Sequence, residues 1–113
     1  MKILTVCHMG INRSGALSIL LKKYFKHDVI QAGYGITQPE TFKMLSNWAD
    51  RIVICDNEAV GAIPSDDQKK IAVFNIGDDV YGNPMQPDLQ KKMMKMLAEW
   101  VGSKYRTGVT LQP

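Results

Sequence analysis

The chain is 113 residues long and 45% apolar, enough for one domain with a modest core. Its formal charge of +3 is too mild for a polyanion-binding surface, so nucleic acid is not an expected partner. No apolar run is long enough to span a bilayer, and residues 1–3 open straight into a strand rather than a secretion signal, so a cytoplasmic protein without membrane attachment is expected.

A first strand is expected over residues 2–6, followed by the run Val6-Cys7-His8-Met9-Gly10-Ile11-Asn12-Arg13-Ser14-Gly15. A helix starts near Ser14, with Leu17, Leu20, Leu21, Tyr24 and Phe25 on its buried stripe and Lys22, Lys23 and Lys26 on its solvated side. Residues 29–32 make a short strand closed by Gly33-Tyr34-Gly35. Thr37-Gln38-Pro39-Glu40 has a capping-box pattern with proline in the first turn, and Phe42, Leu45, Trp48 and Ala49 form the buried stripe of a second helix.

Residues 51–55 are a β-branched run of strand length, suited to a buried parallel strand. A helical turn capped by Asp56 is expected within 56–63, then a loop at 64–67 and a fourth strand over 71–76. After a loop at 77–86, Pro87-Asp88 opens a last helix that buries Leu89, Met93, Met96, Leu97, Trp100 and Val101, with Gly102 as its cap. Its methionines are core filler. Residues 103–113 carry no pattern and are expected to be partly disordered.

Strands alternating with helices imply a parallel sheet, in which ligands bind beyond the carboxyl ends of the strands where the winding reverses. Cys7 falls at such an end. A loop entering a helix N-terminus offers unpaired N–H groups and partial positive charge, which bind a dianion and favour a thiolate. Gly10 can take positive φ and let the backbone wrap inward, so that residues 8–13 (His8, Met9, Gly10, Ile11, Asn12, Arg13) form a phosphate cradle. Arg13 supplies a planar fork for two phosphate oxygens, and the Ser14 hydroxyl is placed to hydrogen-bond the Cys7 sulfur. With only Cys7 and Cys55 present, no disulfide framework is expected. His8 and His27 lack the cysteine pair that a zinc site needs, so no metal and no cofactor are expected.

Cys-x5-Arg-Ser resembles the phosphate loop of the cysteine-dependent protein tyrosine phosphatases, and its place after the first strand resembles the low-molecular-weight branch. The resemblance implies a small flavodoxin-like α/β fold, with a four-stranded parallel sheet in the order 2-1-3-4 and helices on both faces. It also implies a metal-independent phosphomonoester hydrolase that passes through a phosphocysteine. The acid of that branch lies in an Asp-Pro-Tyr-Tyr-Gly loop before the last helix. Counting back from Tyr81-Gly82 in Asp78-Asp79-Val80-Tyr81-Gly82 matches Asp78 to it, with Asp79 the second candidate because a one-residue shift exchanges them. Gly10 stands where the branch has asparagine, Asn12 where it has a second cysteine, Asp79 at the proline and Val80 at an aromatic. Tyr81 and Tyr34 are the candidates to wall a phosphotyrosine ring.

The expected substrate is a phosphorylated molecule, with phosphotyrosine protein foremost. Two rival functions share the loop's position: a cysteine phosphocarrier of the sugar-transport IIB type, and a phosphate-binding module without turnover. The carrier loops do not usually end in Arg-Ser and need no acid, which favours the hydrolase.

Overall fold

In the computed structural model, which describes residues 1–113, strand β1 (Lys2–Cys7) is apolar on both faces. Side chains alternate across a strand. Ile3 and Cys7 therefore enter one core, beneath helices α1 (Arg13–Phe25) and α3 (Pro87–Gly102), while Leu4 and Val6 enter another, beneath α2 (Pro39–Trp48). β3 (Arg51–Ile54) repeats the pattern, with Val53 on the first side and Ile52 and Ile54 on the second. Two apolar faces are what a sheet covered on both sides requires.

β2 (Asp28–Gly33), β4 (Ile71–Phe74) and β5 (Thr110–Leu111) complete one sheet in the order β2-β1-β3-β4-β5, with every pair parallel. This is a small flavodoxin-like α/β fold. No helix in it is long and apolar enough to cross a membrane.

The sheet has five strands rather than the expected four. β5 has two residues, too short to leave a periodic signal in sequence, and it forms because the chain after α3 returns along β4. Val73 donates to the Val109 carbonyl, Asn75 to Leu111, and Gly108 to Ile71. Lys104 and Tyr105, both at positive φ, turn the chain back, and Trp100 Nε1 holds the turn by donating to the Arg106 carbonyl at 2.8 Å.

Other boundaries shift for local reasons. The capping box at Thr37 does not form: Gln38 precedes the helix without a side-chain bond, and Pro39 supplies the first helical residue. The stretch after Pro64 is a 3-10 helix, Ser65–Lys70, rather than an open loop. Tyr24 of α1 is 55% exposed, because Leu17, Leu20 and Leu21 already fill the contact with the sheet. On α3, Leu89, Met93, Met96, Leu97 and Trp100 are fully buried, each contributing about 1.5–3 kcal/mol, while Val101 is only half-buried.

Candidate active site

β1 ends between two neighbours, with Cys7 in register with Gly33 of β2 and Val6 with Ile54 of β3. This is the point where the winding reverses. The chain then turns through residues 8–12 before Arg13 opens α1. Gly10 has φ +72, and a Cβ there would lie 2.5 Å from the Gly33 nitrogen. A Cβ on Gly33 would lie 2.3 Å from the Met9 carbonyl carbon. Two glycines therefore let the loop rest on the end of β2.

That contact decides which way the loop's polar groups are used. The carbonyls face donors from the β2 side: Tyr34 N–H donates to Cys7 at 3.2 Å, Gly35 N–H to His8 at 2.8 Å, and Gln31 Nε2 to Gly10 at 2.8 Å. None of the backbone N–H groups from His8 to Arg13 donates to another atom of the protein. A run of free amides at a helix start is an anion-binding concavity.

Cys7 and Ser14 lie together at its base. Both are buried, and Cys7 Sγ is 3.1 Å from Ser14 Oγ. Thr5, buried on the same strand, donates its hydroxyl to the Ser14 carbonyl at 3.0 Å and so fixes the helix start against β1. Arg13 is 6% exposed. Its Nη1 donates to the Gly77 carbonyl at 3.0 Å, Nη2 lies 4.0 Å from Asp56 Oδ2, and Nε has no acceptor. A buried donor without a partner costs about 1–3 kcal/mol.

Asp56 does more than cap. Its Oδ1 accepts from Glu58 N–H, as a capping residue should, while Oδ2 accepts from the Tyr34 hydroxyl at 3.0 Å. Tyr34 also donates to Glu58 Oε2 at 3.3 Å, and burial followed by these carboxylates pushes its pKa up to about 12. Its ring meets His8 edge-on at 5.1 Å, at the margin of the cradle.

The loop at 77–86 brings the two candidate acids to the same edge. Asp78 is exposed and lines a cleft of about 260 Å³ with Arg13, Cys55, Asp56, Asn75 and Gly77. Asp79 instead faces the cradle loop: both of its carboxylate oxygens are 3.1 Å from Asn12 Nδ2. Tyr81 is engaged elsewhere, with its ring beneath Lys92 of α3 and its hydroxyl donating to the Ile76 carbonyl at 3.4 Å. Apolar side chains are left open around the cradle: Met9 and Ile11 on the loop itself, and Val80 at 78% exposure beside Asp79.

Cys55 is buried on the Cys7 side of the sheet, and burial, reinforced by the neighbouring Cys7, raises its thiol pKa. Both cysteines are free. No group of three or more His, Cys, Asp or Glu side chains is arranged to hold a metal ion. A larger cleft, of about 490 Å³ and lined by Lys2, Trp48, Arg51 and Lys70, opens at the opposite end of the strands from Cys7.

The sequence named Cys7, Arg13, Ser14 and the Asp78-Asp79 pair, and these share one edge of the sheet. It did not reveal Thr5, Gln31 or the link from Asp56 to Arg13. A lone threonine in an apolar strand was the only hint of Thr5, and the other two depend on neighbours distant in sequence. Compared with protein-family models, curated proteins and solved structures, the chain matches none.

Proposed function

We propose that the chain is a metal-independent, cysteine-dependent phosphomonoester hydrolase acting on aryl phosphates, phosphotyrosine protein foremost. Cys7 Sγ attacks phosphorus in line, and the bond from phosphorus to the ester oxygen breaks. Asp78 gives its proton to the leaving oxygen. The phosphocysteine is then cleaved by water, which loses a proton to the Asp78 carboxylate, so that phosphate leaves and the Cys7 thiolate is restored. Ser14 Oγ, 3.1 Å from Cys7 Sγ, hydrogen-bonds the sulfur both as nucleophile and as leaving group. The amides of residues 8–13 and the Arg13 guanidinium hold the equatorial oxygens, the largest contribution to rate.

The observation that carries this reading is the set of donors without acceptors around Cys7: the amides from His8 to Arg13 and the buried Arg13 Nε. Met9, Ile11 and Val80 favour an apolar or aromatic leaving group over a sugar. Action in the cytoplasm belongs to the same proposal, since a thiolate nucleophile needs reducing surroundings.

Hydrolysis of p-nitrophenyl phosphate in chelator tests it. Turnover should persist in chelator, be inhibited by vanadate, vanish in Cys7→Ser, and fall on the order of a hundredfold or more in Arg13→Ala. Turnover that survives Cys7→Ser, or that a chelator abolishes, overturns the proposal. Phosphoryl exchange with a partner and no hydrolysis would assign a phosphocarrier instead.

A further inference from the structure

We propose that Asn12 and Asp79 form a latch that seats the loop at 77–86 over the cradle, making Asp79 a positioning residue and leaving Asp78 as the proton donor. The inference rests on the hydrolase reading for its kinetics, but the latch is a structural claim by itself.

The loop has few anchors on the cradle side. Between the end of β4 and the start of α3 the chain is fixed to the site at Gly77, whose carbonyl accepts from Arg13, and at Asp79, whose two carboxylate oxygens share the Asn12 amide. Gly77 and Gly82, both at positive φ, flank the segment, and Val80 projects into solvent. Tyr81 packs against the core, but residues 78–80 are exposed and have little packing, so the two polar contacts decide where they lie.

Asp78 sits between those anchors. Its exposed carboxylate forms no ion pair and lines the cleft beside Arg13. A proton donor has to reach the leaving oxygen within hydrogen-bond distance, and an error of about 1 Å can cost on the order of a hundredfold in rate. Holding the residues on both sides of Asp78 is an economical way to aim it. Asp79 is poorly suited to be the donor itself, because its oxygens are already turned onto Asn12. Neither Asn12 nor Asp79 follows the phosphatase pattern that the two loops resemble, so the contact is this chain's own.

Five variants and two substrates test the proposal. Asp79→Asn keeps an oxygen for the Asn12 amide, whereas Asp79→Ala and Asn12→Ala keep nothing. Phenyl phosphate needs a protonated leaving group, and 2,4-dinitrophenyl phosphate does not. On phenyl phosphate, Asp78→Ala and Asp78→Asn should each lose about a hundredfold in kcat or more, with little loss on the dinitrophenyl ester. Asp79→Ala and Asn12→Ala should lose roughly five- to twentyfold on phenyl phosphate, and Asp79→Asn should recover most of that. An Asp79→Asn variant as inactive as Asp78→Asn would make Asp79 the acid and overturn the assignment.

Backbone 15N order parameters over residues 78–82 supply a readout that needs no turnover. They should fall from near the rigid value of about 0.85 toward about 0.6 in Asp79→Ala and Asn12→Ala, and stay high in Asp79→Asn. Unchanged order parameters in Asp79→Ala would overturn the latch, whatever the kinetics. A loop loosened as expected in a protein with no wild-type turnover would support the latch and overturn the hydrolase.

Discussion

Gly10 marks the one place in the cradle where a side chain has no room. Its φ of +72 is strained for any residue with a Cβ, and that Cβ would meet the Gly33 nitrogen at 2.5 Å and the Ala32 carbonyl carbon at 2.6 Å. Left-handed strain alone costs about 1–3 kcal/mol. The clash adds to it, because the atoms in the way are backbone in a central sheet. Gly10→Ala should therefore lower stability in urea by at least about 1 kcal/mol and reduce turnover more than tenfold, since the loop can relieve the clash only by lifting off β2. Wild-type activity in a stable Gly10→Ala protein would show that the cradle does not depend on this contact. The two glycines also differ in how far the sequence exposes them. Gly10 was legible, because a loop wrapping an anion needs positive φ somewhere. Gly33 was not, because its Cβ is excluded by Met9, which the chain reaches only after folding.

At the level of elements, α3 does two jobs through one residue. Trp100 is fully buried, with Phe74 of β4 edge-on at 5.5 Å and Tyr105 of the returning tail at 5.0 Å. Its indole N–H also satisfies the Arg106 carbonyl in the turn toward β5. Trp100→Ala should cost about 3–5 kcal/mol from lost burial and the cavity left behind. Trp100→Phe keeps most of the ring, so its cost should be near the 1–3 kcal/mol of an unpaired carbonyl. A negligible loss in Trp100→Phe, measured by urea unfolding, would mean that the tail is held by something other than this bond. The helix itself was readable from its apolar spacing, but β5 was not. A two-residue strand has no period, and what places it is a tryptophan whose sequence role looked like core alone. The failed capping box at Thr37 has a similar cause. Its pattern is real, but Pro39 opens the helix one residue after Gln38, leaving Thr37 outside the position where its hydroxyl could cap.

Across the whole molecule, the cradle lies at the carboxyl end of the sheet, and a separate network ties the amino end together. His27, in the turn between α1 and β2, accepts from the Met1 ammonium at Nδ1 over 3.0 Å. That leaves Nε2–H to face the Tyr105 hydroxyl at 2.6 Å, and the Tyr105 carbonyl in turn accepts from Arg51 Nε at 2.9 Å. The chain start, a turn, β3 and the tail thus meet through one neutral imidazole. Burial first, and the Met1 ammonium second, lower the His27 pKa from its ordinary value near 6.5, with Asp28 opposing them. When a folded-state pKa is depressed, the unfolded chain binds the proton more readily. The stability His27 contributes is therefore fully present above about pH 6.5 and is lost as pH falls below it toward the lowered folded value. Asp50, whose pKa is lowered first by the Lys2 amide, loses its contribution only at lower pH, below the ordinary carboxylate value of about 4. The interval from about pH 6.5 to 5 should thus report His27. Unfolding free energy measured across it should decline on acidification in the wild type and stay flatter in His27→Gln, which cannot titrate. Parallel slopes in the two proteins would remove His27 as the cause. On the proposed hydrolase reading, turnover can be followed across the same interval. A fall in turnover toward pH 5 that disappears in His27→Gln would then come from loss of folded protein, while one that persists would belong to the proposed reaction itself.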